Sequence, residues 1–288
     1  MKVYVTGGTG FVGSHLAHKL AWAGHEVTLG GLSTEGVVDL PEGVEIEQID
    51  VTDSSTLDFS GHDVVIHLVG LSPLVKPSIP YHKIHVEGTE NVVEACEKAN
   101  IQRYIHMSAL GADAEADTEY LRTKGEAQTL VENSGLDWTV FRPSVIFGEG
   151  GQFIEFTGSL LTPFVTGLPG ADPEFQPIYV EDIGDLFVEA VEDEKHIHRL
   201  YDLGGPEKYS MKDIAKMIEK SKGRSLTVLP VPMPLVKAGM KASETLGMKF
   251  GMDQYRSLKK DNIVEENDVE HFRKSEDDMK TLSGYLGL

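Results

Sequence analysis

Cysteine is nearly absent: Cys96 is the one thiol in 288 residues. An internal disulfide framework is excluded, and the composition suits a reducing cytoplasm. Long hydrophobic runs are missing too. The longest, Val64 to Leu71, is broken by His67 and has the length of a buried strand, far below the roughly 18 residues that span a bilayer. The first apolar strand begins at about Lys2, which leaves no room for a signal peptide. Basic charge is scarce. The 26 Lys and Arg, seven of them Arg, stand against 46 Asp and Glu, for a formal net charge of −20. Such a surface repels phosphate backbones and excludes nucleic acid as a partner. The acid is spread over loops and helix faces, as in Glu189 to Glu194, and this pattern suits a halophilic protein whose self-repulsion is screened by salt. The histidines show no ligand spacing: His15, His18, His25 and His62 are scattered, and His196 and His198 share an acidic loop. No metal site is expected.

What is present begins almost at once. Thr6-Gly7-Gly8-Thr9-Gly10-Phe11-Val12-Gly13 follows the short strand Val3-Tyr4-Val5 and opens a helical pattern carrying Leu16 and Leu20. In this order, Gly7 permits the tight turn and Gly10 lets backbone approach a phosphate. Gly13 lets the helix pack close to the strand. The helix start then offers free N–H groups and partial positive charge to an anion. The expected ligand is a dinucleotide, NADP or NAD.

Strands and helices alternate through the first half. Strands are expected at Glu26 to Leu29, Val44 to Ile49, Val64 to Leu68, Arg103 to Ser108 and Asp137 to Arg142. Helices are expected around Val92 to Ala99 and Tyr120 to Asn133. This predicts an α/β fold, a doubly wound parallel (Rossmann) sheet, with a smaller C-terminal substrate or lid domain. Residues 148–177, with six glycines and four prolines, read as an insertion. A helical pattern covers Ile178 to Val191, a short strand Leu200 to Leu203, and a helix Met211 to Lys222. Val228 to Pro234 reads as a linker, and the tail from Glu265 as acidic and polar until Tyr285. The expected division is 1–147 plus 178–205 for the dinucleotide domain and 148–177 plus 206–288 for the lid.

Tyr120 and Lys124 lie one helical turn apart, which stacks both on one face. A cation beside a phenol favours phenolate, so the pair suits acid–base work on a hydroxyl or carbonyl. Tyr255 and Lys259 share the spacing but lie in the tail and read as surface or packing.

In these stretches the chain resembles the extended short-chain dehydrogenases/reductases, in the NAD-dependent epimerase/dehydratase branch. The resemblance rests on the glycine turn, on Asp50-Val51-Thr52-Asp53, on Val65 to Val69, on Gly88-Thr89-Glu90-Asn91-Val92 and on Tyr120 to Lys124. It continues in Arg142 to Gly148, Tyr179 to Ile183 and Tyr201 to Gly205. Tyr104 to Ala112 and Tyr120 to Lys124 are most similar to an atypical subgroup. That subgroup includes the nucleotide-binding accessory subunit of mitochondrial NADH:ubiquinone oxidoreductase. The resemblance implies cofactor contacts at Gly7, Thr9, Gly10, Phe11, Val12 and Gly13. It implies an adenine acceptor at Asp50 with Val51 beside it, and an adenosine ribose lined by Leu68, Val69 and Gly70. Lys124 would hold the nicotinamide ribose, with Pro143 and Ile146 near the ring. As catalytic residues it implies Tyr120, Lys124 and Ser108.

Three positions depart from the family pattern. The acidic residue expected at the end of the second strand is replaced by Gly30-Gly31, with Glu35 a few residues on, so NADP is expected to bind at least as well as NAD. The family Ser or Thr aligns with Ala109 rather than Ser108. A family Asn aligns with His85, which reads as an ordinary packed or exposed histidine. Two readings follow: an oxidoreductase or epimerase-like enzyme acting on a small molecule, or a catalytically weak NAD(P)(H)-binding structural or regulatory module. Either is a monomer or homodimer without a membrane span. Arg122 and Arg142 are the only arginines expected near the site, too few for a strongly anionic substrate.

Overall fold

The computed structural model describes residues 1–34, 40–248 and 250–288. The first half is β1 (Lys2–Thr6), α1 (Phe11–Trp22), β2 (Glu26–Gly31), β3 (Glu45–Gln48), β4 (Val64–His67), α2 (Gly88–Ala99), β5 (Arg103–Met107), α3 (Glu119–Glu132) and β6 (Asp137–Pro143). The second half is β7 (Ile146–Phe147), α4 (Gln152–Ser159), β8 (Phe164–Leu168), β9 (Glu174–Phe175), β10 (Ile178–Tyr179), α5 (Val180–Glu192) and β11 (Arg199–Leu203). It ends in β12 (Tyr209–Ser210), α6 (Met211–Ser221), β13 (Leu226–Pro230), α7 (Met233–Thr245), α8 (Met252–Ser257) and α9 (Leu282–Tyr285).

Seven strands form one parallel sheet in the order β11-β6-β5-β4-β1-β2-β3. Its apolar strands β1 and β4 are covered on both faces, which is why Val64, Val65 and Ile66 are all fully buried. The order reverses between β1 and β4, and the crevice at such a reversal is where α/β sheets bind ligands. One core lies on the α1–α5 side, around Leu16, Leu20, Phe141 and Phe187. A second lies on the α2–α3 side, around Phe59, Val92 and Val131. Each large side chain so buried contributes about 1.5–3 kcal/mol. Lys19 bridges α1 to Asp185 of α5 at 2.5 Å, and His15 reaches Glu181 of the same helix.

The small elements pair as β7 with β10, β8 with β13 and β9 with β12. The expected linker is therefore a strand and a helix start. Val228 to Pro230 lie in β13, whose proline falls at its end, and Pro234 sits in the first turn of α7, where a missing N–H costs nothing. The tail is not merely polar. Val269, Phe272 and Met279 enter the α1–α5 core, and Leu282 joins the core of the smaller elements. Among the described residues no helix is long and apolar enough to cross a membrane.

Candidate functional site: a cleft at the sheet's switch point

The turn after β1 is built by contacts a Cβ would break. Gly7 has φ +74°, and a Cβ there would lie 3.1 Å from the amide of Val69. A Cβ on Gly13 would come within 2.5 Å of the Gly7 carbonyl and the Gly8 Cα, so α1 lies hard against the turn. Gly10 differs: its added Cβ would meet only the Gly7 carbonyl, at 3.2 Å. Gly10 also precedes α1 with no side-chain cap and no acidic residue in the first turn. The first N–H groups of α1 therefore keep their hydrogen-bonding capacity and positive potential for a ligand.

A cleft of about 920 Å³ runs from this turn across the ends of β1 and β4. Gly7, Thr9, Gly10, Phe11, Val12, Gly13, Asp50, Val51, Leu68, Val69, Gly70, Ser108, Tyr120, Lys124, Pro143 and Ile146 all line it. The structure thus brings every candidate residue to one cavity. A smaller hollow beside Asp185, Arg273 and Lys274 holds none of them and is occupied by ion pairs.

Each end of the cleft is braced. Asp50 accepts from the amide and hydroxyl of Thr52, both at 2.8 Å through one carboxylate oxygen, while Asp53 accepts from Ser55 in the following turn. Asn91 holds the Val51 carbonyl at 2.8 Å. Gly31 also lines the cleft, and a Cβ there would lie 2.1 Å from Thr9 Oγ1. A side chain at that strand end would have to displace Thr9, which disfavours a carboxylate there. Glu35 lies outside the described residues.

At the other end, Lys124 is buried and donates to the Met107 carbonyl at 2.9 Å. Burial lowers its ammonium to about 8 and pushes the Tyr120 phenol up to about 12. The expected lowering of the phenol by Lys124 is not seen: the phenolate loses solvation, and the lysine is turned to a carbonyl. The Tyr120 hydroxyl has no hydrogen-bond partner among the described residues. Ser108 is buried with its Oγ unpartnered, and Ala109 lines the cleft beside it. An unsatisfied buried hydroxyl is unfavourable unless a partner reaches it.

Sequence reasoning named His85 as an ordinary packed or exposed histidine, of which packed is the outcome, and missed His67 and His106. His85 is not a bystander: it lies in a π-helical turn, Lys83–Glu87, that leads into α2, and is 1% exposed. Its Nε2 accepts from the Leu71 amide at 3.0 Å, and its Nδ1 donates to Thr123 Oγ1 at 2.9 Å; that hydroxyl itself donates to the Glu119 carbonyl. His67 and His106 are register partners on β4 and β5, with rings 5.4 Å apart. His67 bonds Thr6 Oγ1 at 2.6 Å and Thr89 Oγ1 at 3.2 Å. Burial, then the Lys124 charge, holds His67 down at about 3 and His85 at about 2; His106, buried with both ring nitrogens unpartnered, is held far below its usual value. Asn262, another lining residue, was also missed. It accepts from the Ser144 hydroxyl at 2.7 Å and the Val145 amide at 3.0 Å, and nothing in its polar stretch marks it.

The arginines turn away. Arg142 is bidentate on Asp202, at 2.6 and 2.7 Å, and Arg122 faces Glu126 at 3.8 Å. Among the described residues Asp50 and Lys124 are the only charged groups lining the cleft. Elsewhere Glu189, Asp193 and His196 bring possible metal-ligand atoms within 4.8 Å of one another. Lys195 pairs with both carboxylates, at 2.8 and 3.3 Å, and supplies the positive charge there.

The residues present fit a dinucleotide: a turn open only where Gly10 faces the cavity, an uncapped helix start, and an orphaned hydroxyl at the far end. Comparison with known proteins agrees. The chain is similar to the mitochondrial NADH-ubiquinone oxidoreductase 40 kDa subunit of Neurospora crassa, 26% identical over 243 residues that cover 81% of this chain and 63% of that one. It is similar to the mitochondrial NADH dehydrogenase (ubiquinone) 1 alpha subcomplex subunit 9 of Arabidopsis thaliana, 25% identical over 91% of this chain and 71% of that one. Among solved structures, a nucleoside-diphosphate-sugar epimerase of Staphylococcus aureus superposes with a TM-score of 0.76 at 20% identity, covering 99% of both chains, which establishes a shared fold. The family model described as NAD(P)H-binding matches residues 7–194. That match takes in more than half of the chain, and the protein accordingly belongs to the NAD(P)H-binding family, with NAD or NADP as its cofactor.

Proposed function

We propose that this protein is an NAD(P)-dependent oxidoreductase, or an epimerase-like relative, acting on a hydroxyl or carbonyl carbon of a small uncharged molecule. One observation carries the reading: the Tyr120 phenol, the orphaned Ser108 hydroxyl and Lys124 line the same cleft as the glycine turn. A bound nicotinamide supplies or accepts the hydride. The chain's part is to hold and move a proton. In the oxidising direction Tyr120, as phenolate, takes the hydroxyl proton as the C–H hydride departs, leaving a carbonyl; in the reducing direction the resulting phenol returns that proton to the carbonyl oxygen. Ser108 Oγ donates to the same oxygen in either direction. Lys124 would hold the ribose hydroxyls, and its positive charge in the same cleft would favour the phenolate against the burial that holds Tyr120 at about 12.

The remaining wall supports the uncharged substrate. Leu71, Leu74, Ile79, Leu121, Val145 and Phe153 are apolar, and neither nearby arginine reaches the cavity. A nucleotide sugar, named for the Staphylococcus aureus neighbour, brings two further phosphates, and among the described residues Lys124 is the only cation lining the cleft. Gly10, Phe11 and Val12 would face the pyrophosphate, Asp50 and Val51 the adenine, Leu68, Val69 and Gly70 its ribose, and Pro143 and Ile146 the nicotinamide. Residues 1–147 with 178–205 serve as the dinucleotide domain and 148–177 with 206–288 as the lid, the tail segment around Phe272 excepted because it packs on the former. With Cys96 its one cysteine, the chain has no internal disulfide, which supports a reducing cytoplasmic setting.

The second reading is a dinucleotide-binding structural or regulatory module. Ala109 in place of the family Ser or Thr favours it, as do relatives named as subunits of a larger assembly. Tyr120→Phe separates the two. An enzyme keeps its dinucleotide affinity and loses at least about a hundredfold in rate. Turnover that survives the substitution removes the mechanism. Tight cofactor binding with no turnover of any neutral ketone, aldehyde or alcohol, followed by NAD(P)H absorbance, favours the module.

A further inference from the structure

One segment inverts the charge of the chain. Residues 205–260 carry twelve Lys or Arg against five Asp or Glu, whereas the rest carry 14 against 41. Some of these cations are already paired: Lys222 and Arg224 with Glu219, Arg256 with Asp253 and Lys260 with Asp117. Lys212, Lys216, Lys220, Lys237 and Lys241 are exposed and have no carboxylate within 4.0 Å among the described residues.

The same segment exposes apolar surface. In α7 the inner positions Met233, Val236, Met240 and Ser243 recur at three- and four-residue spacing and are buried or half-buried. A second stripe with the same spacing lies on the opposite side: Leu235, Ala238, Ala242 and, at the helix end, Leu246. All are exposed, Leu235 at 67% and Leu246 at 75%. Lys237 and Lys241 flank this outer stripe. A helix with apolar stripes on two sides, one of them uncovered, presents an interaction face. The strands that precede it add exposed Phe164 and Leu229.

We propose that α7 docks on an anionic lipid bilayer, lying in the interface with Leu235 and Leu246 inserted and Lys237 and Lys241 against lipid phosphates. Unpaired lysines beside exposed leucines are the composition that binds such surfaces. The net charge of −20 does not oppose this at contact. At physiological ionic strength the Debye length is about 8 Å, so a bilayer meets Lys237 and Lys241 more than acid elsewhere on the chain; Glu244, the one carboxylate of α7, lies beside Gly251.

Flotation of the full chain with phosphatidylcholine vesicles, with and without phosphatidylglycerol, tests the proposal. The expected result is binding to the anionic vesicles alone, weakened at least about tenfold by Leu235→Glu with Leu246→Glu, and likewise by Lys237→Glu with Lys241→Glu. All four side chains are exposed, and unchanged NAD(H) affinity in the variants verifies the fold. Absence of flotation, or flotation indifferent to both pairs, overturns the proposal. A dimer seen by sedimentation velocity that dissolves in the leucine variant also overturns it, by assigning the face to a second copy of the chain.

Discussion

The imidazole of His85 stands edge-on to the phenol of Tyr120, ring centres 5.7 Å apart, while its two nitrogens tie the Leu71 amide to Thr123. One side chain thus fixes the position of the tyrosine ring, a turn of α3 and a strip of cleft wall. His85→Ala should lower kcat by about tenfold or more with little change in dinucleotide affinity, since misplacing a reacting group costs rate. His85→Asn, which keeps one donor and one acceptor, should recover part of it. Because burial keeps His85 neutral far below neutrality, no inflection belonging to it should appear in the pH–rate profile between pH 5 and 9, a range spanning its usual value of about 6.5. An unchanged kcat in His85→Ala would show that Tyr120 is positioned without it.

Two glycines of the turn should fail differently. Gly10→Val places its branches in the cavity, so dinucleotide binding by calorimetry should vanish while Tm holds. Gly13→Ala drives a methyl into backbone 2.5 Å away and should cost about 1–3 kcal/mol of stability as well as binding. Equal loss of Tm in both variants would break the distinction.

Acid should destabilise the fold through the buried histidines. His67 and His85 titrate near 6.5 when unfolded and are held at about 3 and about 2 when folded, with His106 also far below. As pH falls below about 6.5 the unfolded chain takes up protons that the native one refuses. Each such group removes about 1.4 kcal/mol per pH unit until its folded value is reached. Their contribution is fully present above pH 6.5. His106→Phe keeps the stack on Tyr104 and His67 and removes two unpartnered nitrogens. It should leave Tm at pH 7 unchanged or higher and make the acid limb shallower by one proton. A lower Tm at pH 7 would mean that those nitrogens are satisfied.

Molar potassium chloride should raise Tm beyond the screening plateau expected near about 0.1–0.2 M, if the acidic surface is an adaptation to salt. A flat response reduces the charge of −20 to a solubility feature.

The sheet was legible because its strands are short continuous apolar runs and its helices have a clear stripe; Val64 to Ile66 and the Val92, Val93, Cys96 series carry their own period. The turn was legible because its glycines meet three local demands in order. What was hidden depends on distance in the chain. Phe272 and Met279 stand alone among acidic residues, and only the fold shows the core that receives them. His67 and His106 are ordinary residues 39 apart until parallel register sets them side by side. Pro230 and Pro234 read as a linker because proline breaks regular structure inside an element but is harmless at the end of one strand and the start of one helix.

The crowding of Gly31 by Thr9 reaches into how selectivity for one dinucleotide could be acquired. An acidic residue for the ribose 2′-hydroxyl belongs at the end of β2, yet any Cβ at position 31 collides with the Thr9 side chain. Gly31→Asp must therefore displace the Thr9 side chain as well as reach the ribose, while Thr9→Gly alone supplies no carboxylate. Pairing Gly31→Asp with a smaller residue at position 9 removes that contact, so the two positions are expected to be coupled in a switch from a permissive pocket to a discriminating one.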